Sequence, residues 1–159
     1  MLQYSLVIAG AALLALAGTA LAQERGDTAW RVECSGDGKT LDCRAVQQAS
    51  QAQGQPLLAA MAVRVPADTK KPAMTLQLPL GIQLNEPVTL RVDEGATEKL
   101  ALQTCNQAGC FVVTPLSDAT VAAMRNGRQL QIGFRDANKQ AVTAAIPLLG
   151  FGLALDKAR

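Results

Sequence analysis

The side chains best equipped for chemistry in this 159-residue sequence are four cysteines in two close pairs, Cys34 with Cys43 (C-x8-C) and Cys105 with Cys110 (C-x4-C). An even number in an exported chain reads as disulfides. Three pairings are possible. The sequential one, Cys34–Cys43 and Cys105–Cys110, is favoured because each pair brackets turn residues. Ser35-Gly36-Asp37-Gly38 lies inside the first and Asn106-Gln107-Ala108-Gly109 inside the second. Such a bridge clamps the neck of a hairpin, and loops this short limit the entropic gain to about 2–3 kcal/mol each. The alternative is one metal held by all four thiolates. Structural zinc uses tighter C-x2–4-C knuckles, so the spacing argues against a metal site. A redox-active dithiol normally shows C-x-x-C, and neither pair does.

The chain has no histidine. That removes Ser-His-Asp and Cys-His catalysis, His-ligated zinc or copper, and the commonest general base near neutral pH. Among the remaining candidates, Asp93-Glu94 could form an acid/base pair or a cation site, but adjacent carboxylates before Gly95 read better as a solvated turn. Ser35, Ser50 and Ser117 all sit in turn-like or polar stretches, and no motif marks one of them as a Ser-Lys nucleophile. Lys70-Lys71 reads as a solvated loop. Trp30 could mark a ligand pocket; in a chain so poor in aromatics it reads as a core anchor. Leu78-Pro79-Leu80-Gly81-Ile82 could be a peptide-binding edge, with Pro79 suiting an edge strand, but reads more simply as a strand end and turn. These readings assign no catalytic residue, no cofactor and no metal.

Composition narrows the partners. The formal net charge is +2, and the basic residues are scattered. With no aromatics interleaved among them, nucleic-acid binding is not expected.

The elements that must position these residues begin after an apolar leader. Residues Leu6 to Ala22 carry no charge and end in Ala20-Leu21-Ala22, before polar Gln23 and Glu24. That is the layout of a secretory signal peptide cleaved between Ala22 and Gln23, although Met1 to Ser5 lack the usual Lys or Arg. The other reading is a retained N-terminal anchor helix. The run is short and rich in Ala and Gly for a membrane span, which needs about 20 strongly apolar residues. The expected organisation is therefore a signal peptide over 1–22 and a single domain over 23–159, with no stable membrane span once the signal is removed. That length falls within the usual range for one domain and suffices for a core.

From Thr28 onward the sequence reads as short strands between turns. Thr28 to Glu33 forms a first strand carrying Trp30, and Leu41 to Val46 its hairpin partner. Gln47 to Gln55 is polar and reads as an exposed loop or frayed strand end. Leu57, Ala59, Met61, Val63 and Val65 recur with period two, as do Met74, Leu76 and Leu78, then Val88, Leu90 and Val92. Leu100 and Leu102 face inward, and Cys110 to Thr114 follows. One short helix is expected, with Asp118 as N-cap, Val121 and Met124 three apart, and Asn126-Gly127 closing it. Leu130, Ile132 and Phe134 alternate after it, as do Val142, Ala144, Ile146 and Leu148. Residues 141–155 are read as a core strand. Eight or nine strands with one helix favour a β-sandwich over a barrel, though periodicity leaves closure open.

The order of landmarks resembles the invasion-associated locus B family of bacterial exported proteins. The residues that carry the resemblance are Trp30, Cys34 and Cys43, Leu78-Pro79-Leu80-Gly81-Ile82, Val92-Asp93, Cys105-Asn106-Gln107-Ala108-Gly109-Cys110, a helix ending at Gly127, and Ile146-Pro147-Leu148-Leu149-Gly150-Phe151. The resemblance implies an immunoglobulin-like β-sandwich located in the periplasm or at the cell envelope, with outer-membrane association or secretion as variants. The family takes its name from host-cell invasion by a pathogen and offers no catalytic residues to carry over. The expected function is a non-enzymatic interaction or structural module binding a protein partner at the envelope. The alternative is a small periplasmic hydrolase or redox accessory protein, which would need a pocket with convergent titratable groups.

Overall fold

The computed structural model describes residues 29–50 and 56–159. The apolar leader, the expected cleavage point between Ala22 and Gln23, the polar stretch 23–27 and the segment 51–55 lie outside the described residues. The elements are β1 (Arg31–Gly36), β2 (Leu41–Ser50), β3 (Leu57–Arg64), β4 (Ala73–Leu78), β5 (Val88–Val92), β6 (Thr97–Leu100), β7 (Thr104–Asn106), β8 (Gly109–Pro115), α1 (Asp118–Asn126), β9 (Gln129–Arg135), β10 (Ala141–Pro147) and α2 (Phe151–Lys157). They form a six-stranded sheet ordered β1-β2-β3-β4-β8-β7 and a four-stranded sheet ordered β10-β9-β5-β6, all antiparallel.

The alternation read in the sequence explains why the two sheets stack. Ala59, Met61 and Val63 of β3, and Met74, Leu76 and Leu78 of β4, turn one face inward. Leu130, Ile132 and Phe134 of β9, with Ala144 and Ile146 of β10, turn the small sheet's face toward the same core. Burying one face of each sheet is the two-layer solution that a half-apolar strand pattern demands. Trp30 anchors one end. Its indole Nε1 donates to the Pro147 carbonyl at 2.8 Å, and its ring meets Phe151 edge-on at 4.8 Å.

The structure corrects several sequence expectations. There are ten strands among the described residues, because short β6 and β7 carry too few apolar residues to announce themselves. The first strand starts at Arg31, after Trp30. Gln47 to Ser50 belongs to β2, with Gln47 and Ala49 buried, so the glutamine-rich stretch begins as strand. Pro79 follows β4, an interior strand, so it sits at a strand end rather than on an edge. The N-cap of α1 is Ser117, whose Oγ accepts the Thr120 amide at 3.0 Å; Asp118 is the first helical residue, where its charge suits the helix N-terminus.

The largest departure is a second helix. The core strand expected over 141–155 ends at Pro147, and Gly150 turns the chain at φ 83° into α2. Phe151, Ala154, Leu155 and Ala158 are buried, at the spacing of one helix face. Proline ends the ladder, and glycine supplies the left-handed turn that starts the helix.

Candidate functional site

The cysteines lie on the inner side of the large sheet, near its two edges. Cys34 is directly opposite Cys43 in the β1–β2 ladder, and Cys105 opposite Cys110 in β7–β8. The structure joins Cys34 to Cys43 and Cys105 to Cys110, and leaves no cysteine free among the described residues. Each hairpin turn is tied by one acceptor side chain. Asp37 Oδ1 accepts the Lys39 and Thr40 amides at 2.9 and 2.8 Å, and Asn106 Oδ1 accepts the Ala108 amide at 2.8 Å. The Thr40 and Lys39 amides hold the Asp37 carboxyl below its ordinary range.

The single-residue candidates are placed apart, each with a structural task. Asp93, at φ 46°, accepts the Arg128 amide at Oδ2 and the Gln129 amide at Oδ1, both at 3.0 Å. It thus pins the end of β5 to the start of β9, while Glu94 is exposed. Gly127 makes this approach feasible, since a Cβ there would meet Val92 Cγ1 at 2.4 Å. Ser117 caps α1, and Thr120 donates to Glu98. Ser35 lies on β1, Ser50 ends β2, and both are exposed. Lys70 and Lys71 lie in the exposed loop between β3 and β4. Arg125 of α1 holds Asp156 of α2 through two nitrogens at 2.6 and 3.1 Å. The Arg125 guanidinium lowers the Asp156 pKa, and Asp156 in turn raises that of Arg125.

What the sequence reading missed is a surface. The outer face of the large sheet is built from rows of residues that the register sets side by side. One row runs Gln48–Ala60–Gln77–Phe111, the next Arg31–Val46–Ala62–Thr75–Val113, and the third Glu33–Arg44–Arg64–Ala73–Pro115. The central strands β3 and β4 present small side chains here, Ala60, Ala62, Ala73 and Thr75, while β2 and β8 on either side present larger ones. A trough results. Its first part encloses about 290 Å³ over Ala60, Ala62, Thr75 and Gln77. A second depression of about 490 Å³ continues the face at Arg64, Ala73 and Val113, bounded by Pro66, Asp68 and Lys71 of the β3–β4 loop.

The trough is cationic at one end. Arg44 and Arg64 are directly opposite across β2 and β3, and Arg31 lies on the same face of β1. Arg44 reaches sideways to Glu33 at 3.0 Å, and Arg64 to Asp42 at 3.9 Å. Beneath the face, the Gln47 amide is buried, and its Nε2 is the one buried side-chain polar atom without a partner among the described residues. The signal for this surface was present in β3, whose outward Ala60 and Ala62 stand where a solvated face usually carries polar residues, with Arg64 at the strand's end.

These features define a class: a disulfide-stapled, two-sheet β-sandwich whose wider sheet carries an open, troughed face. Residues 30–159 match the family model described as Invasion associated locus B (IalB) protein, and the chain belongs to that family. It is 32% identical over 130 residues to an invasion protein B homolog of Brucella abortus (strain 2308), covering 80% of this chain and 74% of that protein. A homolog from Brucella abortus biovar 1 (strain 9-941) matches to the same extent. The crystal structure of invasion associated protein b from Bartonella henselae superposes with a TM-score of 0.72 at 31% identity, covering 84% of this chain and 93% of that one.

Proposed function

We propose that this chain is an exported, non-catalytic interaction module of the bacterial cell envelope, working through the outer face of its large sheet. The observation that carries the reading is the trough itself. A solvated sheet face ordinarily carries long polar side chains, whereas here Ala60 and Ala62 floor one depression between Val46 and Phe111, and Ala73 floors the next beside Val113. Small residues between larger walls leave room for another molecule's side chains. Two of the candidate groups for acid/base or nucleophilic chemistry are engaged elsewhere, Asp93 on backbone amides and Ser117 on a helix end. Export is supported by the leader over 1–22 and by two disulfides, which persist in oxidising compartments.

The test pairs location with function. Fractionation and mass spectrometry should find the chain in the periplasm with Gln23 as its first residue. In-cell crosslinking should give a complex that Ala62→Arg removes and that Leu153→Arg, on the far surface, leaves intact. Ala62 is only half-buried, so thermal unfolding should confirm that the variant still folds. A complex equally strong in Ala62→Arg would refute the role of this face.

A further inference from the structure

The occupant of the trough can be inferred from its width, its floor and its charge. We infer that it takes an amphipathic α-helix from a partner protein, about ten residues in contact, with a small-to-medium apolar stripe facing Ala60, Ala62 and Thr75 and carboxylates at the end nearest Arg44 and Arg64. This deepens the function proposed above and rests on it.

The walls are set by β2 and β8, with β3 and β4 between them. Three strand spacings separate those walls by about 14 Å, which admits a helix of about 10–12 Å diameter and is too wide for a single extended strand. Along β3, Ala60 to Arg64 spans about 13 Å, which matches about nine helical residues. The loop over 66–71 closes that end of the trough.

The charge argument is independent of shape. Arg44 and Arg64 are directly cross-strand. Like charges in that position repel and weaken the pair. Each has one local acid on its β1 side, Glu33 of β1 at 3.0 Å from Arg44 and Asp42 of β2 at 3.9 Å from Arg64. Arg31 on the same face and Lys71 at the loop bring the cations to four, against the three carboxylates Glu33, Asp42 and Asp68. A carboxylate placed between the two guanidiniums would relieve the repulsion and accept forked hydrogen bonds from both. The partner is therefore acidic at this end, in the helix-in-groove mode of recognition.

The test uses the full chain in the bacterium that encodes it, with a benzophenone amino acid at Val113, a trough wall 54% exposed, or at Leu153, 73% exposed on α2. Irradiation followed by peptide mapping of the adduct is the readout. The expected result is a Val113 adduct on a helical segment of another protein with Asp or Glu clustered at one end. Arg44→Glu with Arg64→Glu should lower its yield about tenfold, while Arg64→Lys keeps most of it. A thermal unfolding check shows whether the double variant folds; if it does not, Arg64→Gln alone is read in its place. An adduct on a second copy of the chain, on an extended segment or on a basic helix overturns the inference and leaves the interaction function standing. So does an acidic-helix adduct indifferent to the arginine changes. A Val113 yield no greater than that at Leu153 overturns both.

Discussion

The two sheets secure their margins by different means. The large sheet is stapled near each edge by a disulfide between directly opposed residues, β1 to β2 and β7 to β8. The small sheet has no cysteine. Its ends are held by polar contacts: Asp93 on the Arg128 and Gln129 amides, Arg135 on Glu86 at 2.9 Å, and Asp136 on the Asn138 and Gln140 amides of the β9–β10 turn. The sheet that carries the trough is the one that is covalently braced. Local crosslinks supply rigidity to a sheet without covering its outer face. The edges themselves are shielded by brevity and charge, β7 having three residues and β6 carrying Glu98 and Lys99.

Four measurements would break or sharpen this contrast. The largest effect belongs to neither sheet's margin but to the point where they meet. Phe151→Ala removes a fully buried ring packed on Trp30, and denaturant titration should show a loss of about 3–5 kcal/mol. Next, replacing Cys34 and Cys43 together by Ser should cost about 2–3 kcal/mol. Amide exchange should then speed up in β1 and β2 while β9 and β10 keep their protection; uniform acceleration through both sheets would erase the distinction drawn here. Third, Asp93→Ala leaves two backbone amides without an acceptor and should cost about 1–2 kcal/mol, with faster exchange confined to the β5–β9 end.

The smallest effect is a pH dependence between the helices. Arg125 lowers the Asp156 pKa from an ordinary value of 3.8. A carboxyl whose pKa is lower in the folded state contributes stability above its unfolded pKa, and loses that contribution as pH falls through the folded value. Melting temperatures of the parent and Arg125→Gln should therefore differ most above about pH 4 and converge as acid protonates Asp156. The pair is partly exposed, so the difference should be small and should shrink in salt.

The sheets were readable in the sequence where one side of a strand was strictly apolar. Leu57 to Val65, Met74 to Leu78 and Leu130 to Phe134 each announced both a strand and its inward face. Both hairpin clamps could be inferred from turn residues between nearby cysteines. The second helix escaped because the apolar alternation of β10 runs directly into Leu148 and Leu149, and because Gly150 and Gly152 dilute a helix of only seven residues. Its signature, Phe151, Ala154, Leu155 and Ala158 at helical spacing, was nonetheless present. The trough was hidden for a different reason. A concave face depends on which strands lie side by side, and β4 neighbours β8 rather than β5. No local pattern states that Val113 will stand across Thr75 from Ala62.

The cysteine pairs are separated by only nine and five positions in the chain. Each cysteine therefore meets its proper partner before any other as the polypeptide grows from its N-terminus. Oxidation in order of appearance gives the native bonds directly. Maturation on this scheme calls for a dithiol oxidase and makes no demand on a disulfide isomerase, so loss of an isomerase should leave the yield of folded protein unchanged.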